Sequence, residues 1–336
     1  MKKTLFLASL CLATAGWAIP YGIASLHELS PASLSAETPL VVQQPAGGAR
    51  EPFRSTTPPQ IELLNPGAEP RQELRLKPAI NVTETAVMTL KMDMEMSFGA
   101  RSLPAVKVPA SVFTMETKVT KIDANGDLHS EFAYTNADLV GDTANFPAPV
   151  LDSLRSSIKS TIGIKGSFIT DNRGFYKGGG IIVPEGTDTK AKQMLQQMSK
   201  SLEQLSTPLP AEAVGKGAKW RVISGSDFTG ISLNNIATYE LTDLQEGTVA
   251  LNVSIEQQAN PQNVTSPQLP AGTTLTLKSL ASRGRGSVAW RLDRLMPFRS
   301  TASVSSNSEM SVKNSGSSEE STITTKMDME MTLESK

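Results

Sequence analysis

Beyond residue 80, apolar side chains return at every second position rather than every third or fourth. Met92, Met94, Met96 and Phe98 alternate with Lys91, Asp93, Glu95 and Ser97, and Phe113, Met115, Thr117 and Val119 alternate with Thr114, Glu116, Lys118 and Thr120. A period of two is that of a strand with one buried and one wet face. The second stretch runs into Asp123-Ala124-Asn125-Gly126-Asp127 and then Leu128, Ser130, Phe132 and Tyr134 in alternation, which predicts a hairpin with an Asn-Gly turn. A second hairpin is predicted where Ile162 to Ile169 and Phe175 to Ile182 flank Asp171-Asn172-Arg173-Gly174. Further strands are expected at Trp220 to Phe228, Ile236 to Leu241, Thr248 to Ile255, Leu275 to Ala281 and Ser287 to Leu292. Two long ones follow, at 299–313 and 319–334.

Helical spacing interrupts this pattern twice. Leu151, Leu154 and Ile158 form a short stripe after Pro147 and Pro149, and Met194, Leu195, Met198, Leu202 and Leu205 form a longer one between Asp188 and Ser206. The longer stripe needs a sheet to cover it. The fold expected is therefore mainly β with two helices. It is a strongly curved antiparallel sheet or half-barrel of about twelve strands, with the 188–206 helix in its concavity.

The two ends of this β-rich region carry a repeat. Thr89-Leu90-Lys91-Met92-Asp93-Met94-Glu95-Met96-Ser97-Phe98 matches Thr324-Thr325-Lys326-Met327-Asp328-Met329-Glu330-Met331-Thr332-Leu333 at seven of ten positions. Laid antiparallel and centred on the aspartates, the copies set Lys91 against Glu330 and Glu95 against Lys326, whereas a parallel pairing puts like charges together. Such pairs contribute about 0.2 to 1 kcal/mol each, so antiparallel pairing is expected if the two strands touch. Contact would close or nearly close the sheet.

Composition changes the picture mainly at the front of the chain. Lys2 and Lys3 precede an apolar stretch from Leu5 to Ala15 and then Gly16-Trp17-Ala18, the layout of an export signal in residues 1–18. The apolar stretch is too short to span a bilayer. Removal of the signal would take Cys11 with it, leaving neither disulfides nor thiolate chemistry. From 19 to 70 there are nine prolines in 52 residues without an apolar period, so a flexible tether is expected there and a single domain over 71–336. The resulting location is periplasmic or extracellular. A formal net charge of −1 with 19% charged residues argues against a nucleic-acid partner.

Chemistry-bearing constellations are sparse. No G-x-S-x-G, H-E-x-x-H or Walker loop occurs. The acids around Asn125 lack EF-hand spacing. His27 lies in the tether, and His129 is expected to be outward and solvated. Lys177-Gly178-Gly179-Gly180 reads as a turn, and Arg283-Gly284-Arg285-Gly286 as a strand connection, although its two guanidinium forks could hold an anion. The six thioethers of the repeat could bind Cu(I), yet alternation with charges already demands apolar side chains there and methionine fills irregular gaps. Neither a metal nor a cofactor is expected, nor an enzyme. Met92, Met94, Met96, Met327, Met329 and Met331 are the candidate ligand-contacting residues, as a deformable wall for an apolar ligand or else as plain core.

The segment order resembles a family of secreted bacterial domains of unknown function. Leu74-Arg75-Leu76, Val119 to Gly126, and Leu209-Pro210-Ala211-Glu212-Ala213-Val214-Gly215-Lys216-Gly217-Ala218-Lys219-Trp220 carry the resemblance, with Thr238-Tyr239-Glu240-Leu241 in a following strand. It implies a β-rich envelope domain and brings no catalytic residues. The layout is also similar to the half-barrels of periplasmic lipoprotein carriers. The function expected is non-enzymatic binding of an apolar ligand, such as a lipid, or of an envelope partner; the alternative is a structural or peptide-binding β-domain with a solid core.

Overall fold

The computed structural model describes residues 59–141, 146–182, 209–228, 231–264, 272–314 and 320–336. The export signal, most of the tether, His27 and the helix expected at 188–206 lie outside these residues.

Among these residues fourteen strands and one helix follow in the order β1 (Gln60–Asn65), β2 (Thr83–Phe98), β3 (Arg101–Ser102), β4 (Val106–Ile122), β5 (Leu128–Val140), α1 (Ala148–Lys159), β6 (Lys165–Thr170) and β7 (Tyr176–Ile182). The second half of the chain supplies β8 (Lys219–Phe228), β9 (Ile231–Gln245), β10 (Thr248–Ala259), β11 (Gln262–Val264), β12 (Thr273–Arg291), β13 (Arg299–Asn314) and β14 (Glu320–Ser335). All belong to one open antiparallel sheet ordered β1-β8-β9-β10-β12-β13-β14-β2-β4-β5-β6-β7, with β11 beside β12 and β3 beside β2.

Both expected hairpins form. The β4–β5 turn holds Gly126 at φ +86° and the β6–β7 turn holds Gly174 at φ +89°, a left-handed conformation that costs glycine little. Two expectations are revised. Gln60 to Asn65, placed in the tether, alternates as a strand and pairs with β8, its Ile61 and Leu63 packing on the core. Residues 275–281 and 287–291 are parts of one 19-residue strand, with Leu292 just beyond it, because Arg283-Gly284-Arg285-Gly286 keeps its ladder with both β10 and β13. The only helix among the described residues is α1, which lies beside β5 and buries none of its residues. Among the described residues the buried face of the sheet is filled by its own side chains and by two connecting segments.

Those segments seal one end. Gln72 and Val214 pair, Ala68 N–H donates to the Lys216 carbonyl and Gly215 N–H to the Pro66 carbonyl. Gly215 is obligatory here, since a Cβ would lie 1.8 Å from the Ala68 carbonyl oxygen. The Arg75 guanidinium donates to the carbonyls of Leu74, Pro210 and Ala211, and that of Arg173 to Leu209. Glu84, buried at the start of β2, accepts from the Leu295 and Met296 amides at 2.7 Å each. Leu74, Leu76, Leu209, Val214 and Trp220 are thereby buried against Trp290 and Tyr239, with the Trp220 and Tyr239 rings stacked at 5.5 Å. Residues 74–76 and 209–220 thus have a packing role as a clasp under the sheet.

The repeated strands do pair, antiparallel and in the expected register: Lys91 opposite Glu330, Asp93 opposite Asp328, Glu95 opposite Lys326. Their contact does not close the sheet. It joins two meanders, β2-β4-β5-β6-β7 and β8-β9-β10-β12-β13-β14, and among the described residues leaves β1 and β7 as edges.

Candidate functional site

Pairing of β2 with β14 gathers the six methionines on the inner face. Met94 stands opposite Met327 and Met92 opposite Met329, while Met331 faces Leu90 and Met96 faces Thr325. Charges occupy the outer face, with Lys91 Nζ 3.9 Å from Glu330. The two copies differ in burial. Met327, Met329 and Met331 are 4%, 1% and 1% exposed, whereas Met92, Met94 and Met96 are only half-buried.

Neighbouring strands explain this contrast. β14 is flanked along its length by β13 and β2. The β2–β4 register slips between Leu90 and Met92, and β4 brings only Val108 and Val106 opposite Met92 and Met94. Among the described residues, pairing of β4 with β5 stops at Ala110 opposite Val140, and Val106 is 38% exposed. The β2 methionines therefore line a half-open apolar margin beside a sealed one.

A buried polar row reaches this margin from the other side. On the inner face Asn235, Gln257, Ser282 and Ser306 lie in register across β9, β10, β12 and β13, and the same rung continues through Met327 to Met94. Gln257 donates to the Asn235 side-chain oxygen at 2.9 Å, Ser282 donates to Ser306 at 2.9 Å, and Asn235 donates to Ser226 at 2.9 Å. Such groups are tolerated inside because each has a partner. Their row divides the inner face into a large core holding Met329, Met331 and Leu333 and a smaller one holding Ile231, Leu275, Met310 and Ile323, with Met96 against it. Met92, Met94 and Met327 belong to neither.

Chemically the strip offers polarizable, deformable thioethers next to a band of amides and hydroxyls. That combination suits an apolar chain bearing a modest polar group. Among the described residues no cluster of three His, Cys, Asp or Glu side chains stands in metal-ligand geometry.

Other residues singled out from sequence fall elsewhere. His129 is not simply solvated: its Nε2 lies 2.6 Å from Asp123 Oδ2, and Lys121 Nζ is 2.7 Å from the same carboxylate. Lys121 first and His129 second hold the Asp123 carboxyl below its ordinary value of 3.8. Lys177-Gly178-Gly179-Gly180 lies within β7 rather than in a turn, and Lys177 Nζ donates to Asp127 at 2.6 and 2.8 Å. Sequence reasoning passed over the polar row altogether; Asn235, Gln257, Ser282 and Ser306 at inward positions of strands were the available signal.

No protein-family profile matches the chain, and no curated protein does. Solved structures give only faint likeness. Pseudomonas aeruginosa OpdK, solved with vanillate, matches at 6% identity over 76% of this chain and 99% of that one, with a TM-score of 0.20. Vibrio cholerae OmpT, an outer membrane protein, matches at 6% identity over 75% and 100%, TM-score 0.16, and Acinetobacter baumannii OccAB2 at 6% over 75% and 98%, TM-score 0.18.

Proposed function

We propose that the protein is a non-enzymatic cell-envelope domain that binds an apolar ligand, a lipid or lipid-bearing group, along the Met92, Met94 and Met96 margin. The observation that carries this reading is the unequal burial of two nearly identical methionine strands. One is sealed, and the other leaves three half-buried thioethers beside paired amides and hydroxyls. An acyl chain laid there would extend the apolar surface of β14 across the corner where, among the described residues, β4 has no further partner. The signal-like start and the proline-rich stretch before β1 support delivery to the envelope on a tether. Native mass spectrometry of protein purified from its own envelope tests the proposal. Retained lipid, lost when Met92 and Met94 are replaced by glutamine, is the expected result. Bare protein under conditions that preserve other lipid complexes would favour a domain whose interior is solid core.

A further inference from the structure

On the opposite, outer face of the sheet lies a groove of about 780 Å3, within the range of small-molecule sites. It crosses strands β8 to β14, and its middle is occupied by Arg285. Val253, Ala302 and Met331 contribute only backbone to it, since their side chains belong to the inner face, and Gly286 has none. In β12 the two arginines of Arg283-Gly284-Arg285-Gly286 point outward and the two glycines inward. The glycines let β12 and β13 bend tightly against each other: a Cβ on Gly286 would lie 2.4 Å from the Thr301 carbonyl oxygen, and one on Gly284 2.7 Å from Val304.

What surrounds Arg285 narrows the ligand. Ser254 and Ser303 stand directly opposite it on the two neighbouring strands, with Asn252 and Thr301 one step along. Glu240 and Glu330 sit at the rims, but each has its own lysine: Lys219 Nζ at 3.4 Å from Glu240 and Lys91 Nζ at 3.9 Å from Glu330. Among the described residues neither an ion pair nor a hydrogen bond engages the Arg285 guanidinium. The groove therefore carries one uncompensated positive charge amid hydroxyls and an amide. No aromatic ring lines it, and its apolar residues turn their side chains away, so it offers nothing to a nucleobase or an acyl chain. A guanidinium fork takes a carboxylate bidentately, and the flanking Ser, Thr and Asn side chains both donate to and accept from hydroxyls.

We propose that this groove is a second binding site, for an acidic sugar whose carboxylate seats on Arg285 and whose hydroxyls bond to Ser254, Ser303, Thr301 and Asn252. It is independent of the methionine margin, which lies on the other face, and either can fail without the other.

Calorimetric titration of the full chain with trigalacturonate, maltotriose and trialanine tests it. Trigalacturonate should bind and maltotriose should not. Arg285→Gln should weaken the acidic sugar at least about tenfold, and Arg285→Lys should also weaken it because an ammonium lacks the fork. Arg299→Gln, an exposed arginine outside the groove, should change nothing. Arg285 is exposed and unpaired, so the thermal midpoint of its variants should stay at the parent value, which separates lost binding from lost fold. Equal binding by maltotriose, or by trialanine through its free carboxylate, would overturn the proposal. So would undiminished binding in Arg285→Gln, or the absence of any trigalacturonate binding up to about 10 mM, where an association would contribute less than about 3 kcal/mol.

Discussion

β2 and β14 share the Lys-Met-Asp-Met-Glu-Met run, pair with each other and point their methionines the same way, yet one set is sealed and the other half-open. The strands' own residues cannot account for the difference. What differs is the company on the far side: β13 covers β14 throughout, while β4 slips register at Leu90 and has no outer neighbour beyond Ala110 among the described residues. Burial here is a property of position in the sheet, and the same run of three methionines is sealed on one strand and accessible on the next.

The largest effect is expected at the sealed start of β2. Glu84→Ala leaves the buried amides of Leu295 and Met296 without an acceptor and removes a charge-assisted pair of bonds, so a loss of about 4 kcal/mol in urea unfolding is expected. A smaller loss would mean that the clasp relaxes and water reaches those amides. Next comes the comparison itself. Met329→Ala should cost about 3 kcal/mol and Met92→Ala, directly opposite it, about 1 kcal/mol, because a cavity costs most where nothing can fill it. Equal costs would break the contrast.

The pairing of the repeats can be sharpened through its charges. Lys91→Glu should destabilise by about 0.5 kcal/mol and adding Glu330→Lys should restore most of it, since the two face each other across the pair and are well exposed. No recovery in the double variant would contradict the register. The smallest effect lies away from the methionines, at the β4–β5 turn. Asp123 has its carboxyl lowered in the folded protein, so its contribution is present above the ordinary aspartate value of 3.8 and fades as pH falls through the lower folded value. Its NMR titration midpoint should lie below 3.8 and rise in Lys121→Gln.

Much of this architecture was legible in the chain because a period of two leaves little freedom: once Met92 points inward, Lys91 and Asp93 must point outward. The charge order likewise selected the antiparallel register of the repeats. Strand partners that are distant in sequence were not legible. Nothing local to Gln60–Asn65 says that it will find Arg221 and Trp220, and the prolines around it argue for a tether. Arg283-Gly284-Arg285-Gly286 has the composition of a connection, yet two long neighbours hold it in the ladder. The candidate margin was legible only as six equivalent methionines. Splitting them into three sealed and three accessible requires knowing where β4 stops being paired, which is a fact about the assembled sheet.

Residue-resolved oxidation by dilute peroxide, read by mass spectrometry, tests that split most directly, because thioether oxidation follows access. Met92, Met94 and Met96 should oxidise first and together, Met327, Met329 and Met331 should resist until the protein unfolds, and a bound lipid should slow only the first three. Equal rates across the six, or faster oxidation on β14 than on β2, would contradict the account.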